Sequence, residues 1–172
     1  MEDLVPPVSE LTPAAVLIPI VLRPEGLTVL LTKRTDHLHD HAGQISFPGG
    51  RCEPEDGSAV TTALREAEEE VGISPSQVDV LSVLDGYHTS TGYAITPVVG
   101  LVRLPLDLKL DDFEVAEVFE PPLAYLLDDQ NYRQEQVFYR GKNRAYWSVT
   151  WQGRYIWGAT AGMLVKFRRA LA

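Results

Sequence analysis

The first hydrophobic stretches of the chain predict a pair of β-strands. Residues 14–22 form an apolar run interrupted only by Pro19, which is typical of a buried strand, and residues 27–32 form its expected partner. Between them, Arg23-Pro24-Glu25-Gly26 has the proline and glycine expected of a hairpin turn. Further along, Phe47-Pro48-Gly49-Gly50 indicates a turn that separates these strands from the next element.

The hydrophobic period then changes from that of a strand to that of a helix. Residues 58–71 contain no glycine or proline, and apolar side chains recur at helical spacing at Val60, Ala63, Leu64, Ala67 and Val71. Asp56 or Ser58 can cap the start of this helix, and Gly72 follows its end, where a left-handed cap is expected.

The second half of the chain predicts further strands between shorter helices. We expect strands at 78–84, 95–102, 132–139 and 146–151, an acidic loop running into a short helix at 107–120, and helices at 123–127 and 156–171. Strands with interposed helices predict an α/β domain with a mixed sheet sandwiched between helices, and no linker divides residues 1–172.

Composition narrows the class of protein further. The chain has 172 residues with 15 Lys and Arg against 24 Asp and Glu, a net charge of −9, which disfavours nucleic acid as a partner. Cys52 is the single cysteine, so no internal disulfide is expected. No apolar run is long enough for a membrane span, and the acidic N-terminus lacks the features of a signal peptide, so we expect a cytoplasmic protein without a membrane partner.

The acidic residues are concentrated in two segments. Seven lie between positions 53 and 70 and six between 107 and 120. In the predicted helix, Glu66, Glu69 and Glu70 stand at i, i+3 and i+4 and therefore share one face, where like charges destabilise a helix. A hard cation such as Mg²⁺ or Mn²⁺ would remove the repulsion, whereas the alternative is a solvated acidic face.

The segment from Gly50 to Ile73 resembles the Nudix box. That motif runs from a glycine through a glutamate to Arg-Glu, an apolar residue, any residue, Glu-Glu, any residue, glycine and an apolar residue. Positions 65 to 73, Arg-Glu-Ala-Glu-Glu-Glu-Val-Gly-Ile, match it throughout. The first half has one extra residue before Arg65, and Gly57 stands where the motif has glutamate, so we expect Asp56 to substitute for it.

A second motif, upstream of the first, resembles the coenzyme A pyrophosphatase branch of the Nudix hydrolases. Its residues are in register at Leu30-Leu31-Thr32-Lys33-Arg34-Thr35, at Gly43 and at Phe47-Pro48-Gly49-Gly50. Thr35 replaces the usual serine or alanine, and His39 stands where this signature has arginine. Two motifs at a fixed spacing are more specific than either motif alone.

The resemblance implies a Nudix fold and a set of metal ligands. We expect Glu66 and Glu70 to bind Mg²⁺ or Mn²⁺, with Glu69 as a further ligand and the carbonyl of Gly50 completing the set. Arg65 belongs to the same catalytic motif, and we expect it to pair with a carboxylate such as Asp56 without touching substrate.

The remaining site residues are candidates for proton transfer and substrate binding. Members of the family take their general base either from the box or from a later loop, so Glu69 and Glu114 are both candidates, with a solvated loop acid as the alternative for Glu114. Lys33, Arg34, His39 and Gly49 are the candidates for contacts with the substrate.

The resemblance implies hydrolysis of a pyrophosphate bond. We expect coenzyme A and acyl-coenzyme A as substrates, giving 3′,5′-ADP and (acyl-)4′-phosphopantetheine. One alternative is another nucleoside diphosphate derivative, such as NADH or ADP-ribose, or a nucleoside triphosphate; the other is a binding module without activity. A homodimer is expected only from the frequency of symmetric dimers among enzymes.

Overall fold

The computed structural model describes residues 10–36 and 43–171. The twelve strands of this part of the chain are β1 Thr12–Arg23, β2 Gly26–Val29, β3 Leu31–Arg34, β4 Ile45–Ser46, β5 Gly49–Arg51, β6 Val78–Val83, β7 Tyr87–His88, β8 Tyr93–Val102, β9 Val115–Phe119, β10 Tyr132–Tyr139, β11 Lys142–Trp151 and β12 Arg154–Trp157. The α-helices of the same part are α1 Ala59–Val71, α2 Leu123–Leu127 and α3 Gly158–Leu171, and none of these is long and apolar enough to cross a membrane.

A six-stranded sheet forms the centre of the fold. Its strands run in the order β2-β1-β8-β6, with β5 added to β1 and β7 added to β8. Strands β1 and β8 are parallel from the Thr12–Tyr93 pair to the Val21–Val102 pair, whereas the other pairings are antiparallel. The predicted mixed sheet is therefore confirmed.

Strand β1 divides the hydrophobic core into two layers because successive side chains of a strand point to opposite faces. On one face Val16 and Ile18 join the cluster that includes Leu164 of α3. On the other face Ala15 and Leu17 join the cluster that includes the α1 residues Ala63, Ala67 and Val71. The sheet is thus sandwiched between helices, as the sequence predicts, and α1 is fixed against it by its apolar side.

Two smaller sheets complete the fold and correct one prediction. They run in the orders β4-β3-β9 and β10-β11-β12. The stretch 27–32, expected to be one strand, is two: β2 pairs with β1, while β3 pairs with β4 and β9. The chain changes sheets after Leu30. The N–H of Leu30 still donates to the carbonyl of Pro19, in register with the β1–β2 ladder, and Leu31 then pairs with Phe119 of β9.

The segment 107–120 was expected to run from a loop into a short helix, and this prediction is wrong. Its second half is strand β9, which pairs with β3 through Leu31–Phe119 and Thr32–Val118. Val115 and Phe119 are buried, so tertiary pairing with β3 determines the conformation of an acidic segment whose local sequence is ambiguous.

The C-terminal helix begins later than the expected residue 156. Residues Ile156 and Trp157 instead belong to β12, which pairs with β11, because aromatic and β-branched side chains pack well in a strand. Gly158, with φ at +62°, marks the change from this strand to α3.

Helix α1 has the predicted termini. The side chain of Ser58 accepts a hydrogen bond from the N–H of Thr61, and Gly72 caps the end in the left-handed conformation with φ at +81°. A Cβ on Gly72 would lie only 2.7 Å from the backbone nitrogen of Lys109, whose N–H donates to the carbonyl of Val71. The glycine therefore lets the 107–111 segment cross the end of the helix.

Because residues 107–111 cross the helix at this point, we expect Gly72→Ala to destabilise the protein more than a glycine-to-alanine change at a left-handed position with free space around it. Gly153 is a matched control, because its φ is +77° and a Cβ there meets no atom within 4 Å. We expect Gly153→Ala to cost about 1 kcal/mol of unfolding free energy, for the left-handed conformation alone. Gly72→Ala should cost about 2–4 kcal/mol, because the contact with Lys109 adds an overpacking penalty. Urea unfolding measures both, and equal losses would contradict the proposed crossing constraint.

Candidate active site

The glycine turn before α1 lies directly beside the carboxylates of the helix. Gly49 and Gly50 begin β5, which pairs with β1. A Cβ on Gly49 would lie 2.5 Å from the carbonyl oxygen of Ala15, so only glycine fits this close pairing. A Cβ on Gly50 would lie 2.5 Å from Oε1 of Glu66 and 3.0 Å from Oε2. The missing side chain of Gly50 is thus the space that the Glu66 carboxylate occupies.

Glu66 and Glu70 form a pair of interacting carboxyl groups on this face of α1. Glu70 is only 8% exposed, and burial together with the charges of Glu66 and Glu114 raises the pKa of its carboxyl well above the usual range. Burial also raises the pKa of Glu66, against the opposing effect of Arg65. The N–H of Gly49 donates to the Glu70 carboxylate, so the turn holds the side chain in place.

Arg65 is a structural connector on the other side of Glu66. Its Nε donates to Oδ1 of Asp56 at 2.9 Å and its Nη2 to Oδ2 at 3.0 Å, while Nη1 reaches Glu66 at 3.1 Å. Nη2 also donates to the carbonyl of Arg51. The predicted pairing of Arg65 with Asp56 is therefore confirmed, and this guanidinium orients Glu66 through protein contacts.

Asp56 explains how the fold accommodates the extra residue in the Nudix-like motif. Its carboxylate accepts hydrogen bonds from Arg65, from the Thr62 hydroxyl at 2.7 Å and from the N–H of Glu53 at 2.9 Å. Arg65 is the largest cause that holds the pKa of Asp56 far below its usual range. Gly57 follows in the left-handed conformation with φ at +76°, so a turn takes up the additional residue before α1 begins.

Glu69 is much more exposed to solvent than Glu66 and Glu70. Its side chain is 59% exposed, and its Oε2 accepts a hydrogen bond of 3.4 Å from Nη1 of Arg65. Its charge nonetheless contributes to the raised pKa of Glu66. Glu69 therefore lies at the solvent side of the carboxylate cluster, where its predicted roles as metal ligand and base stay predictions.

The second acidic segment reaches the site through Glu114. The N–H of Asp111 donates to the carbonyl of Glu70 at 2.8 Å, and the N–H of Glu114 donates to the carbonyl of Asp111 at 3.1 Å. Glu114 is half-buried, and its charge is one of the causes of the raised pKa of Glu70. The structure thus brings a late-loop carboxylate beside the helix pair.

The basic candidates separate onto two faces of β3. Thr32 pairs with Val118, which packs in the core layer of α1. The register shifts after Lys33, where β9 skips Ala116, but β3 has no extra residue, so Arg34 lies on the same face of the strand as Thr32. Its Nε is buried and has no hydrogen-bond partner in the described part of the chain. Lys33 pairs with Glu117 and points to the opposite face. His39 lies outside the described residues.

The residues around Glu66 and Glu70 fit a divalent cation. Within residues 10–36 and 43–171 no group of three His, Cys, Asp or Glu side chains is arranged to hold a metal ion. Mg²⁺ is usually bound by one or two carboxylates together with substrate phosphates and water, and so needs no all-protein cage. Two adjacent carboxylates beside a glycine backbone supply the hard oxygen donors that such an ion prefers.

Comparison with known sequences identifies the class of protein that has this fold and these carboxylates. A model of the NUDIX domain matches residues 11–140. The chain belongs to the Nudix hydrolase family, whose members act on phosphorus-containing anhydrides and generally use divalent metal ions such as Mg²⁺.

The sequence similarity to two relatives extends over most of the chain. The uncharacterized Nudix hydrolase NudL of Escherichia coli (strain K12) is 47% identical over 152 residues, which are 88% of this chain and 78% of the relative. NudL of Yersinia pestis (strain Pestoides F) is 47% identical over 151 residues, which are 88% of this chain and 75% of the relative.

Solved structures confirm the Nudix fold. A MutT/nudix family protein from Enterococcus faecalis superposes with a TM-score of 0.57 over 96% of this chain and 64% of its own, at 16% identity. The binary complex of a C. elegans Ap4A hydrolase gives 0.56 over 64% and 80%, at 19% identity. The NUDIX domain of Shewanella oneidensis NrtR, crystallised with ADP ribose, gives 0.51 over 68% and 76%, at 22% identity.

The contact between Gly50 and Glu66 predicts a variant that disturbs the site but spares the fold. In Gly50→Ala the new Cβ would displace the end of a flexible side chain, so we expect an unfolding free energy within about 1 kcal/mol of the wild-type value. Affinity for Mn²⁺ should fall about tenfold or more, because Glu66 moves from the position that the turn leaves for it. Calorimetric titration with Mn²⁺ and thermal unfolding measure the two effects.

Gly86→Ala is the control for this variant, since its Cβ would have no atom closer than 3.8 Å. It should leave both stability and Mn²⁺ binding close to wild type. Unchanged Mn²⁺ affinity in Gly50→Ala would show that the space at Gly50 does not determine the geometry of the ligands.

Proposed function

We propose that this chain hydrolyses the pyrophosphate bond of coenzyme A and its acyl derivatives with the help of Mg²⁺ or Mn²⁺. The observation that carries the proposal is the signature from Leu30 to Gly50, whose residues form β3, β4 and the start of β5. This segment ends at the glycine turn beside Glu66 and Glu70 and carries Arg34 on the face of α1. The glycine turn that ends the signature therefore lies beside the carboxylate pair, which supports the proposal.

Glu66 and Glu70 are the proposed metal ligands, together with the carbonyl of Gly50; Glu69 remains a candidate for a further ion. A bound divalent cation supplies positive charge that makes the anionic pyrophosphate accept a nucleophile and stabilises the leaving phosphate. Arg65 holds Glu66 from behind through its contact at 3.1 Å and is itself held by Asp56. These residues keep the ligand oxygens in place without touching substrate.

The proposed proton acceptor is Glu114. Water attacks one phosphorus of the pyrophosphate and loses a proton to the Glu114 carboxylate, while the bond from that phosphorus to the bridging oxygen breaks and the other phosphate leaves. With coenzyme A the products are 3′,5′-ADP and 4′-phosphopantetheine. We favour Glu114 over Glu69 because it is half-buried beside Glu70, whereas Glu69 is exposed and bonded to Arg65.

Arg34 is the proposed phosphate contact. Its Nε is buried without a hydrogen-bond partner among the described residues, and a buried donor of this kind is satisfied by an anionic oxygen. Lys33 points to the other face of β3 and is the weaker candidate. Gly49 engages Glu70 with its N–H, so its proposed part in binding substrate is indirect.

Another nucleoside diphosphate derivative is the second candidate substrate. His39 replaces the arginine of the coenzyme A signature, and an imidazole is a weaker partner for phosphate than a guanidinium at neutral pH. A binding module without activity is a poorer alternative, since the carboxylates that such a protein does not need are all present.

A substrate panel tests the proposed activity. Coenzyme A, acetyl-coenzyme A, NADH, ADP-ribose and dATP are each incubated with the protein in Mg²⁺ and in Mn²⁺, and the products are identified by mass. We expect 3′,5′-ADP from coenzyme A at the highest kcat/KM, by about tenfold or more over the other compounds. A higher kcat/KM for ADP-ribose or NADH would favour the second candidate, and the absence of turnover with every compound would refute the enzymatic proposal.

Glu70→Gln tests the proposed metal ligand. The amide cannot supply the negative charge of a carboxylate, so we expect kcat to fall by about 100-fold or more and Mn²⁺ to lose its stabilising effect on unfolding. Without metal the variant should be at least as stable as the wild type, because burial and the charge of Glu66 raise the pKa of Glu70 to about 8, and a neutral amide carries no charge into this buried position.

Glu68→Gln is the matched control, since it removes an exposed charge from the same helix. We expect it to retain wild-type turnover and the full shift of Tm on addition of Mn²⁺. Near wild-type kcat in Glu70→Gln would refute the ligand assignment.

A further inference from the structure

Thr35 connects the strand that carries Arg34 to the loop that carries Glu114. It is 7% exposed, and its hydroxyl donates to the carbonyl of Phe113 at 2.6 Å. Its N–H donates to the carbonyl of Glu114 at 3.0 Å. One residue therefore binds the backbone at Glu114 and at the residue immediately before it.

The same loop is bound from the opposite side by α1. Asp111 donates its N–H to the carbonyl of Glu70, and its own carbonyl accepts hydrogen bonds from the N–H groups of Glu114 at 3.1 Å and Val115 at 2.8 Å. The side chain of Asp111 accepts a further bond from the N–H of Phe113. Asp111 thus fixes the loop to α1, and Thr35 fixes it to β3.

We propose that Thr35 is a positioning residue, whose hydroxyl and N–H hold the backbone that carries Glu114, so that this carboxylate is in place to accept the proton of the attacking water. This inference rests on the proposed role of Glu114 as base. Neither bond of Thr35 involves the Glu114 side chain, so the effect on the carboxylate passes through the backbone of residues 113 and 114.

A small displacement of the loop is enough to affect the rate. Misplacement of a catalytic group by about 1 Å costs up to about 100-fold in rate, because the reacting atoms leave the geometry of attack. The hydroxyl-to-carbonyl bond of Thr35 is short and partly buried, and its acceptor is one residue from Glu114. The strand and the helix must both hold this loop for the carboxylate to have one position.

Thr35→Val removes the hydroxyl while it retains the shape of the side chain, and Thr35→Ser restores it. Thr35→Ala is a second variant without the hydroxyl, and it introduces no bulk if valine disturbs folding. Thr160→Val is the matched control, because Thr160 is 2% exposed and its hydroxyl donates at 2.9 Å to the carbonyl of Ile45 in β4, and not to the segment 107–119.

Amide hydrogen exchange in the absence of metal and substrate measures how firmly the loop is held, independently of turnover. We expect the peptides that cover residues 107–119 to exchange about tenfold faster in Thr35→Val and Thr35→Ala, and at the wild-type rate in Thr35→Ser. Thr160→Val should leave these peptides unchanged. Wild-type exchange of this segment in both variants without the hydroxyl would overturn the proposal, whether or not any substrate is turned over.

Kinetics on the best substrate of the panel then test the link to Glu114. Thr35→Val should lower kcat about 10- to 100-fold with little change in KM, whereas Thr35→Ser and Thr160→Val should remain near wild type. In a Glu114→Gln background, Thr35→Val should cause little further loss of kcat, because the group on which it acts is already absent.

The outcomes separate this inference from the proposed function. Equal losses from Thr35→Val with and without Glu114→Gln would overturn it and leave a structural role for Thr35. Wild-type kcat in Glu114→Gln would overturn both the proposed base and the positioning role, while the metal ligands would stand or fall by Glu70→Gln. Absence of turnover with every substrate refutes the proposed function alone, and the exchange rates then decide whether Thr35 holds the loop.

Discussion

Two acidic side chains one helical turn apart, Glu70 buried and Glu66 partly exposed, are the constraint around which this site is arranged. Glu66 and Glu70 repel each other, and burial makes the ionised form of each less favourable. The surrounding residues counter this in different ways: Arg65 donates to Glu66, and the N–H of Gly49 donates to Glu70. Among the described residues, no basic side chain forms an ion pair with Glu70. A divalent cation would supply the missing positive charge, which is why a site that is electrostatically unfavourable by itself is suited to binding one.

Holding this pair requires close packing at both ends of α1. At its start, the Asp56–Arg65 ion pair and the Ser58 cap fix the first turns. At its end, Gly72 allows residues 109–111 to cross the helix and to bind its last carbonyl groups. The apolar side of the helix is meanwhile buried against β1. The fold therefore fixes the helix from three directions, and the repulsion between its carboxylates is resisted by contacts that do not involve them.

Local sequence predicts the parts of this arrangement that depend on neighbours in the chain. The helix, its caps and the shared face of Glu66 and Glu70 follow from helical spacing, and the pairing of Arg65 with Asp56 follows from their places in the motif. Strand β9 was not predicted, because its partner β3 lies more than 80 residues away and only that pairing makes an acidic stretch a strand. Adjacent residues of a strand point to opposite faces, so the separation of Lys33 from Arg34 is local, but which face meets the layer of α1 depends on the distant pairing of β3 with β9. The hold of Thr35 on the Glu114 loop depends on long-range contacts for which the sequence has no local signal.

The overall charge of −9 also acquires a structural explanation. An acidic protein repels phosphate, yet Glu114 of the 107–120 segment acts on Glu70 of the helix at the place where we propose that phosphate binds, whereas Glu117 and Glu120 of the same segment pair with Arg154 and Arg23. The conflict is resolved by the division of charge within the site. In the proposed arrangement the helix carboxylates would hold the cation and Arg34 would contact phosphate from β3, while the donors of Arg65 are engaged by protein oxygens. Because Arg65 supports Glu66 and Arg34 is the proposed phosphate contact, an exchange of these roles would leave either the phosphate or Glu66 without a partner.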